Sequence, residues 1–378
     1  MGSRYKVLAG AAAAISVVLT GTASAAEQAP DPREWPLDAQ HFDATKAWEL
    51  SKGAGIVVAV VDTGVNSHHP DLTGRVLPGV DLTLGAADGQ VDVSPDSHGT
   101  SVAGVIAGNG GPSGRGMSGL APEARILPVR VSNGEGVNAL PLAQGIVWAA
   151  RHGAAVINVS MGMASADPQV REAVDFAESH DVVVVAAAGN AGATGNVPQY
   201  PAAFRGVVAV AGSDRSGAPW VHSESGPFVS LSAPATGIWS VKSGGGYLTA
   251  DGTSYAAPYV AATAALLRAK YPRETASQII SRLVGSADRP RHSAGRDDRF
   301  GFGIVDPVKA LEAPTPSAAS DPLKVPPAKA SGTARAVGSS SSAFPIAGVV
   351  GGGAAAAAAA TFVVVRRRSA RPRTDPPR

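Results

Sequence analysis

Five short, almost continuously apolar runs, Ile56–Val61, Arg125–Val131, Ala154–Val159, Val182–Ala188 and Val207–Ala211, most constrain what this chain can become. A strand that is apolar at nearly every position has no side for water, so it must be covered on both faces, as in a parallel sheet. Between the runs the period changes: Ala139, Leu142, Ala143, Ile146, Val147 and Ala150 recur at steps of three and four, the spacing of a half-buried helix. Strands alternating with helices predict an α/β fold, a doubly wound, mostly parallel sheet flanked by helices. No internal repeat breaks the pattern. One domain over residues 51–312, preceded by a short extension over 26–50, is the simplest division. Aromatics make up only 5% of the 378 residues, so the core must be packed from small side chains.

Both ends have a different character. Arg4 and Lys6, an apolar run from Val7 to Leu19 and the small residues Ala23-Ser24-Ala25 have the layout of a secretory signal peptide, predicted over 1–25. Residues 313–343 are rich in Pro, Ala and Ser and cannot bury enough surface to offset chain entropy, which predicts a linker. Phe344 to Val365 has no charge in 22 positions, a helix of roughly 33 Å, long enough for a bilayer core. Arg366, Arg367 and Arg368 open a basic tail over 366–378, which predicts a cytoplasmic end and places the domain outside the cell membrane, single-pass. A cell-wall sorting signal is the rival, but Phe344-Pro345-Ile346-Ala347-Gly348 lacks the Thr of the Leu-Pro-x-Thr-Gly pattern. The net charge is +2, carried by these ends; the intervening chain is acidic, about −5, and offers no footprint for nucleic acid. The absence of cysteine excludes disulfides, thiolate nucleophiles and iron–sulfur ligation.

In open α/β sheets functional groups gather where strands end. The first run ends in Asp62-Thr63-Gly64, where an Asp is as often a turn residue; as an aspartic-protease triplet it would need a second copy, which is absent. Asp96-Ser97-His98-Gly99-Thr100-Ser101 opens a helical pattern, putting an imidazole at a helix start, where it can serve as a general base. Asp251-Gly252-Thr253-Ser254 leads into a buried, small-residue helix, although capping serines outnumber catalytic ones. Ala186-Ala187-Ala188-Gly189-Asn190 ends a strand in an amide that could hold an oxyanion or merely make a turn. His68 and His69 precede Pro70-Asp71 without a metal-binding helix motif and read as a loop. Gly114 to Gly119 matches GxGxxG but neither follows a strand nor opens a helix, and no GxSxG elbow exists.

Singly these are weak; their order is not. Asp62, His98, Asn190 and Ser254 stand within VVDTGV (60–65), HGTSVAGVIAG (98–108), AAAGN (186–190) and GTSYAAP (252–258), with INVSMG (157–162) between. Together these stretches resemble the subtilases, serine proteases with triad order Asp, His, Ser. The resemblance implies that Ser254 attacks a peptide carbonyl, His98 moves the proton, Asp62 orients His98 and Asn190 binds the oxyanion. It further implies that Ser160, Met161 and Gly162 form one substrate-binding edge and Gly134, Glu135 and Gly136 the other, with Ala187, Ala188, Gly189 and Asn190 walling the primary pocket. SGPFVSLSAP (225–234), GTSYAAPYVAATAALLRAKYP (252–272) and FGFGIVDPVKAL (300–311) are similar to mycosins, the membrane-anchored subtilases of type VII secretion systems. Only about 36 residues separate Ala25 from Asp62, too few for a large inhibitory prodomain, and mycosins likewise carry a short extension. Many mycosins have a disulfide and this chain has none. The expected partners are a polypeptide substrate, the membrane and a type VII secretion complex. No cofactor is required. Structural calcium, frequent in subtilases, is left open, since no acidic loop has a recognisable ligand spacing. Two other functions stay open: a structural subunit of the secretion complex with minor catalysis, and a degradative protease released from its tether.

Overall fold

The computed structural model describes residues 29–83, 88–134, 136–289, 295–316 and 322–323, with Gly2. By its internal contacts the chain divides into Met1–Pro327 and Ala328–Arg378, and all the described residues belong to the first unit. The predicted signal peptide apart from Gly2, most of the predicted linker, the apolar segment 344–365 and the basic tail lie outside the described residues. Among the described residues no helix is long and apolar enough to cross a membrane.

The five apolar runs are strands. In chain order the elements are α1 (Ala44–Leu50), β1 (Val57–Asp62), β2 (Val80–Asp81), α2 (His98–Ala107), β3 (Arg125–Arg130), α3 (Ala139–Arg151), β4 (Val156–Val159), α4 (Pro168–Ser179), β5 (Val183–Ala187), β6 (Val208–Ser213), β7 (Leu231–Pro234), β8 (Ile238–Val241), β9 (Tyr247–Ala250), α5 (Thr253–Lys270), α6 (Ala276–Ser286) and α7 (Pro307–Glu312). Seven strands form one all-parallel sheet in the order β2-β3-β1-β4-β5-β6-β7; β8 and β9 make a separate antiparallel hairpin.

Alternation along each strand sorts the two layers. Val58, Val60, Val183, Val185, Val208 and Val210 face α2 and α5, whereas Ala59, Val61, Ile157, Val159, Val184 and Ala186 face α3 and α4. The helices follow from the same side chains: of the stripe its period predicted, α3 buries Leu142, Ala143 and Ile146, while Ala139, Val147 and Ala150 are half-buried at its edges and Gly145 and Ala149 complete the buried face. Asp167 caps α4 by accepting from the Gln169 and Val170 backbone N–H groups, and Thr275 with Gln278 makes a capping box on α6. Helix α5 has no polar face. It is buried over almost its whole length and crosses behind the sheet, which is why its sequence is nearly all small and apolar. The sheet turns the ends of β1, β3, β4 and β5 to one rim, and α2 and α5 begin there.

Candidate active site

Asp62 is the last residue of β1 and is fully buried. Its Oδ1 accepts from the Thr63 backbone N–H at 2.8 Å and faces His98 Nδ1 at 2.8 Å. His98 is the first residue of α2, and Gly99 lets that helix approach: a Cβ there would stand 3.2 Å from the Asp62 side chain and collide with the Gly64 carbonyl. Burial works against a charged imidazole, but the Asp62 carboxylate and its hydrogen bond prevail, with Asp96 and Asp92 adding, and the pKa is pushed up to about 9. A second carboxylate braces the pair. Asp92 accepts from Thr63 Oγ1 at 2.9 Å and from the Thr100 N–H and hydroxyl at 2.8 and 2.6 Å, while Thr63 Oγ1 accepts from the Gly99 N–H at 3.0 Å. Asp92 thereby ties the end of β1 to the start of α2. Nothing in its local sequence announces this.

Ser254 lies in the first turn of α5 and is 8% exposed. The ring of its neighbour Tyr255 is 6.2 Å from that of His98. Across the rim, Asn190 follows β5. Its Oδ1 accepts from the Thr253 N–H and the Thr253 hydroxyl, each at 2.8 Å, so the amide's acceptor is spent on the start of α5 and Nδ2 is its donor. A Cβ on Gly252 would stand 3.2 Å from Ser254 Oγ and 3.5 Å from Asn190 Nδ2, so hydroxyl and amide share one side of that glycine.

The helix start has a built-in irregularity. Pro258 has no N–H to give to the carbonyl four residues back, which is that of Ser254. Ser160 Oγ donates to that carbonyl at 2.8 Å instead and itself accepts from Asn158 Nδ2 at 2.9 Å. Ser160, Met161 and Gly162, which follow β4, are in this way tied to Ser254. Gly134 and Gly136 follow β3 on the opposite side of β1, both with positive φ, in a turn where Ser132 Oγ accepts from the Gly134 N–H and donates to the Gly136 carbonyl. Gly134 faces Ser94 and Pro95, just ahead of His98. Glu135 lies outside the described residues.

The other histidines of the rim have structural partners. His69 Nδ1 accepts from the Asp71 N–H at 3.2 Å and caps a turn, as the loop reading expected. Among the described residues no group of three or more His, Asp or Glu side chains is arranged to hold a metal ion.

The model of the subtilase family matches residues 53–303, a span that contains every group described above. The chain belongs to the subtilase family. Thermitase of Thermoactinomyces vulgaris is 37% identical over 274 residues, covering 72% of this chain and 94% of thermitase. Subtilisin DY of Bacillus licheniformis is 34% identical over 264 residues, 69% of this chain and 92% of that protein. Among solved structures, the MycP3 protease of the type VII (ESX-3) secretion system matches at 33% identity and a TM-score of 0.63, over 76% of this chain and 90% of MycP3. MycP1, a serine protease and essential component of the type VII (ESX-1) system, matches at 33% and a TM-score of 0.65, with the same coverage. This subtilase is a serine endopeptidase, with the mycosins among its structural neighbours.

Proposed function

We propose that this subtilase is a membrane-anchored, extracytoplasmic endopeptidase working alongside a type VII secretion system. Ser254 Oγ attacks the peptide carbonyl, His98 takes its proton and returns it to the leaving amine, and Asp62 holds the imidazole and stabilises its cation. Asn190 Nδ2 and the Ser254 backbone N–H receive the oxyanion. The observation that carries the reading is the 2.8 Å contact between His98 Nδ1 and the buried Asp62 carboxylate at the rim where Ser254 and Asn190 converge. The likeness to MycP1 and MycP3 supports the secretion role. Anchoring rests on the uncharged segment 344–365 followed by three arginines.

Ser254→Ala in the purified full chain is expected to abolish cleavage of a casein-derived peptide mixture; undiminished cleavage would end the proposal. Fractionation of cells tests the anchor, since a protein found mainly in the medium would contradict it. Secretion restored equally by wild type and by the Ser254→Ala variant would instead make the chain a structural subunit.

A further inference from the structure

At the rim three strand ends stand in one row. Asp81, Arg130 and Asp62 are register partners across β2, β3 and β1, so Arg130 has the outermost strand on one side and the proposed triad's acid on the other. The local backbone serves both neighbours: the Arg130 carbonyl accepts from the Leu82 N–H at 2.9 Å, and Val131 donates its N–H to the Asp62 carbonyl at 2.8 Å. The Arg130 side chain is buried here, 8% exposed, and its guanidinium splits in two directions. Nη1 donates to Asp81 Oδ2 at 2.8 Å, and Nη2 donates to Asn133 Oδ1 at 2.6 Å. Asp81 is itself fixed, its Oδ1 accepting from the Thr83 N–H and the Thr83 hydroxyl, each at 2.7 Å.

Asn133 opens the turn that carries Gly134 and Gly136. The outer part of that turn stands clear: both glycines have positive φ, and among the described residues a Cβ on Gly136 would meet nothing within 4 Å. Glycine loses more freedom on ordering than any other residue, and a substrate that must order its own binding edge gives up affinity to do so. The root of the turn is what can be held in advance. A buried ion pair adds little net stability, but a planar guanidinium with one arm on a fixed carboxylate has its other arm aimed. Here the aimed arm holds Asn133.

We infer that Arg130 is a positioning residue: anchored on Asp81, it holds Asn133 and so keeps the 134–136 segment in place as a pre-ordered edge for the parts of a peptide substrate away from the cleaved bond. The inference rests on the serine-protease reading of this site and on the substrate-binding edge expected at 134–136, and it adds the group that keeps that edge ready. Its consequence is a preference for long substrates, since only a chain that reaches this edge gains from it.

The test uses the full chain and two internally quenched peptides with the same cleaved bond, one with two residues on each side of it and one with five. Wild type should cleave the longer with a kcat/KM ~10-fold or more higher, the worth of a few added backbone hydrogen bonds. Asn133→Ala removes the acceptor, and Arg130→Lys keeps a positive charge beside Asp81 but lacks the fork that reaches both partners. Each should cut the gain from length to ~2-fold, through KM rather than kcat, with the short peptide within ~3-fold of its wild-type rate. Asn133→Asp, which keeps an acceptor in the same place, should restore the gain. Labelling by a fluorophosphonate counts competent sites, and whichever of Asn133→Ala and Arg130→Lys labels fully carries the test. A fully labelled variant that keeps the wild-type gain, or that loses rate equally on both peptides, overturns the inference alone, as do loss of labelling in both variants and wild type that cleaves the two peptides alike. Wild type that neither labels nor cleaves removes the serine-protease reading and the inference with it.

Discussion

His98 is held between opposing forces, burial favouring the neutral ring and the Asp62 carboxylate favouring the cation, and the second wins with a pKa of about 9. Two consequences follow from the sign. A general base must be neutral, so kcat/KM should rise with pH from the ordinary 6.5 up through about 9. The ion pair's contribution to stability is fully present below 6.5 and is lost as pH rises through about 9. Asp62→Asn removes the cause of both. Turnover should fall about 10⁴-fold, and the midpoint of the residual pH–rate profile should drop well below 9, since burial is then opposed only by the more distant Asp96 and Asp92. A profile with an unmoved midpoint would contradict this assignment. Asp62, His98, Asn190 and Ser254 could be singled out as candidates in the sequence because each stands at or close to the end of a regular element, within a recognisable local pattern. Asp92 was not, because its role arises only when the loop that carries it folds back to Thr63 and Thr100.

Helix α5 carries Ser254, the proposed nucleophile, on a turn that an ordinary helix would close differently. Pro258 withholds a donor from the Ser254 carbonyl and Ser160 supplies one from just beyond β4, so the 160–162 segment and the helix are coupled through one buried oxygen. Ser160→Ala should leave that carbonyl unpaired and cost about 1–3 kcal/mol in urea unfolding. Pro258→Ala added to it should recover part of the loss, because the new backbone N–H can reach the Ser254 carbonyl; additive losses would show that the two donors do not share this acceptor. At this scale the apolar runs and the 139–150 stripe predicted β1, β3, β4, β5, β6 and α3 with small errors at the ends. The two-residue β2 and the hairpin of β8 and β9 gave no usable signal. The first is too short to show a period, and in the second Tyr247–Ala250 are part-exposed residues defined by their pairing with Ile238–Val241.

Across the whole molecule, the extension before α1 is part of the core. Trp35, Leu37 and Phe42 are buried in the same cluster as α2 and α5, Trp35 Nε1 donates to the Thr236 carbonyl at 3.1 Å, and Glu34 accepts from the Ser118 N–H at 2.8 Å. Arg33 lies over the Trp239 ring at 3.9 Å. Among the described residues, segment 31–48 bonds across the domain to Ser118, Leu120, Arg215, Thr236 and Glu312, none of them a candidate site residue. Trp35→Ala should therefore lower stability by about 3–5 kcal/mol while fluorophosphonate labelling of the folded protein at 25 °C stays at the wild-type level; lost labelling in a folded variant would give the segment a place at the cleft. In a chain without cysteine such packing replaces a covalent staple. The sequence by itself determined the strand and helix periods, the family and the four candidate groups of the proposed site, because these are written in local patterns of polarity and in short motifs. Only the tertiary structure decided what surrounds those groups: which carboxylate braces His98 and which hydroxyl answers the Ser254 carbonyl. Those partners meet across tens or hundreds of residues, and their distances are set by how the sheet and its two helical layers pack.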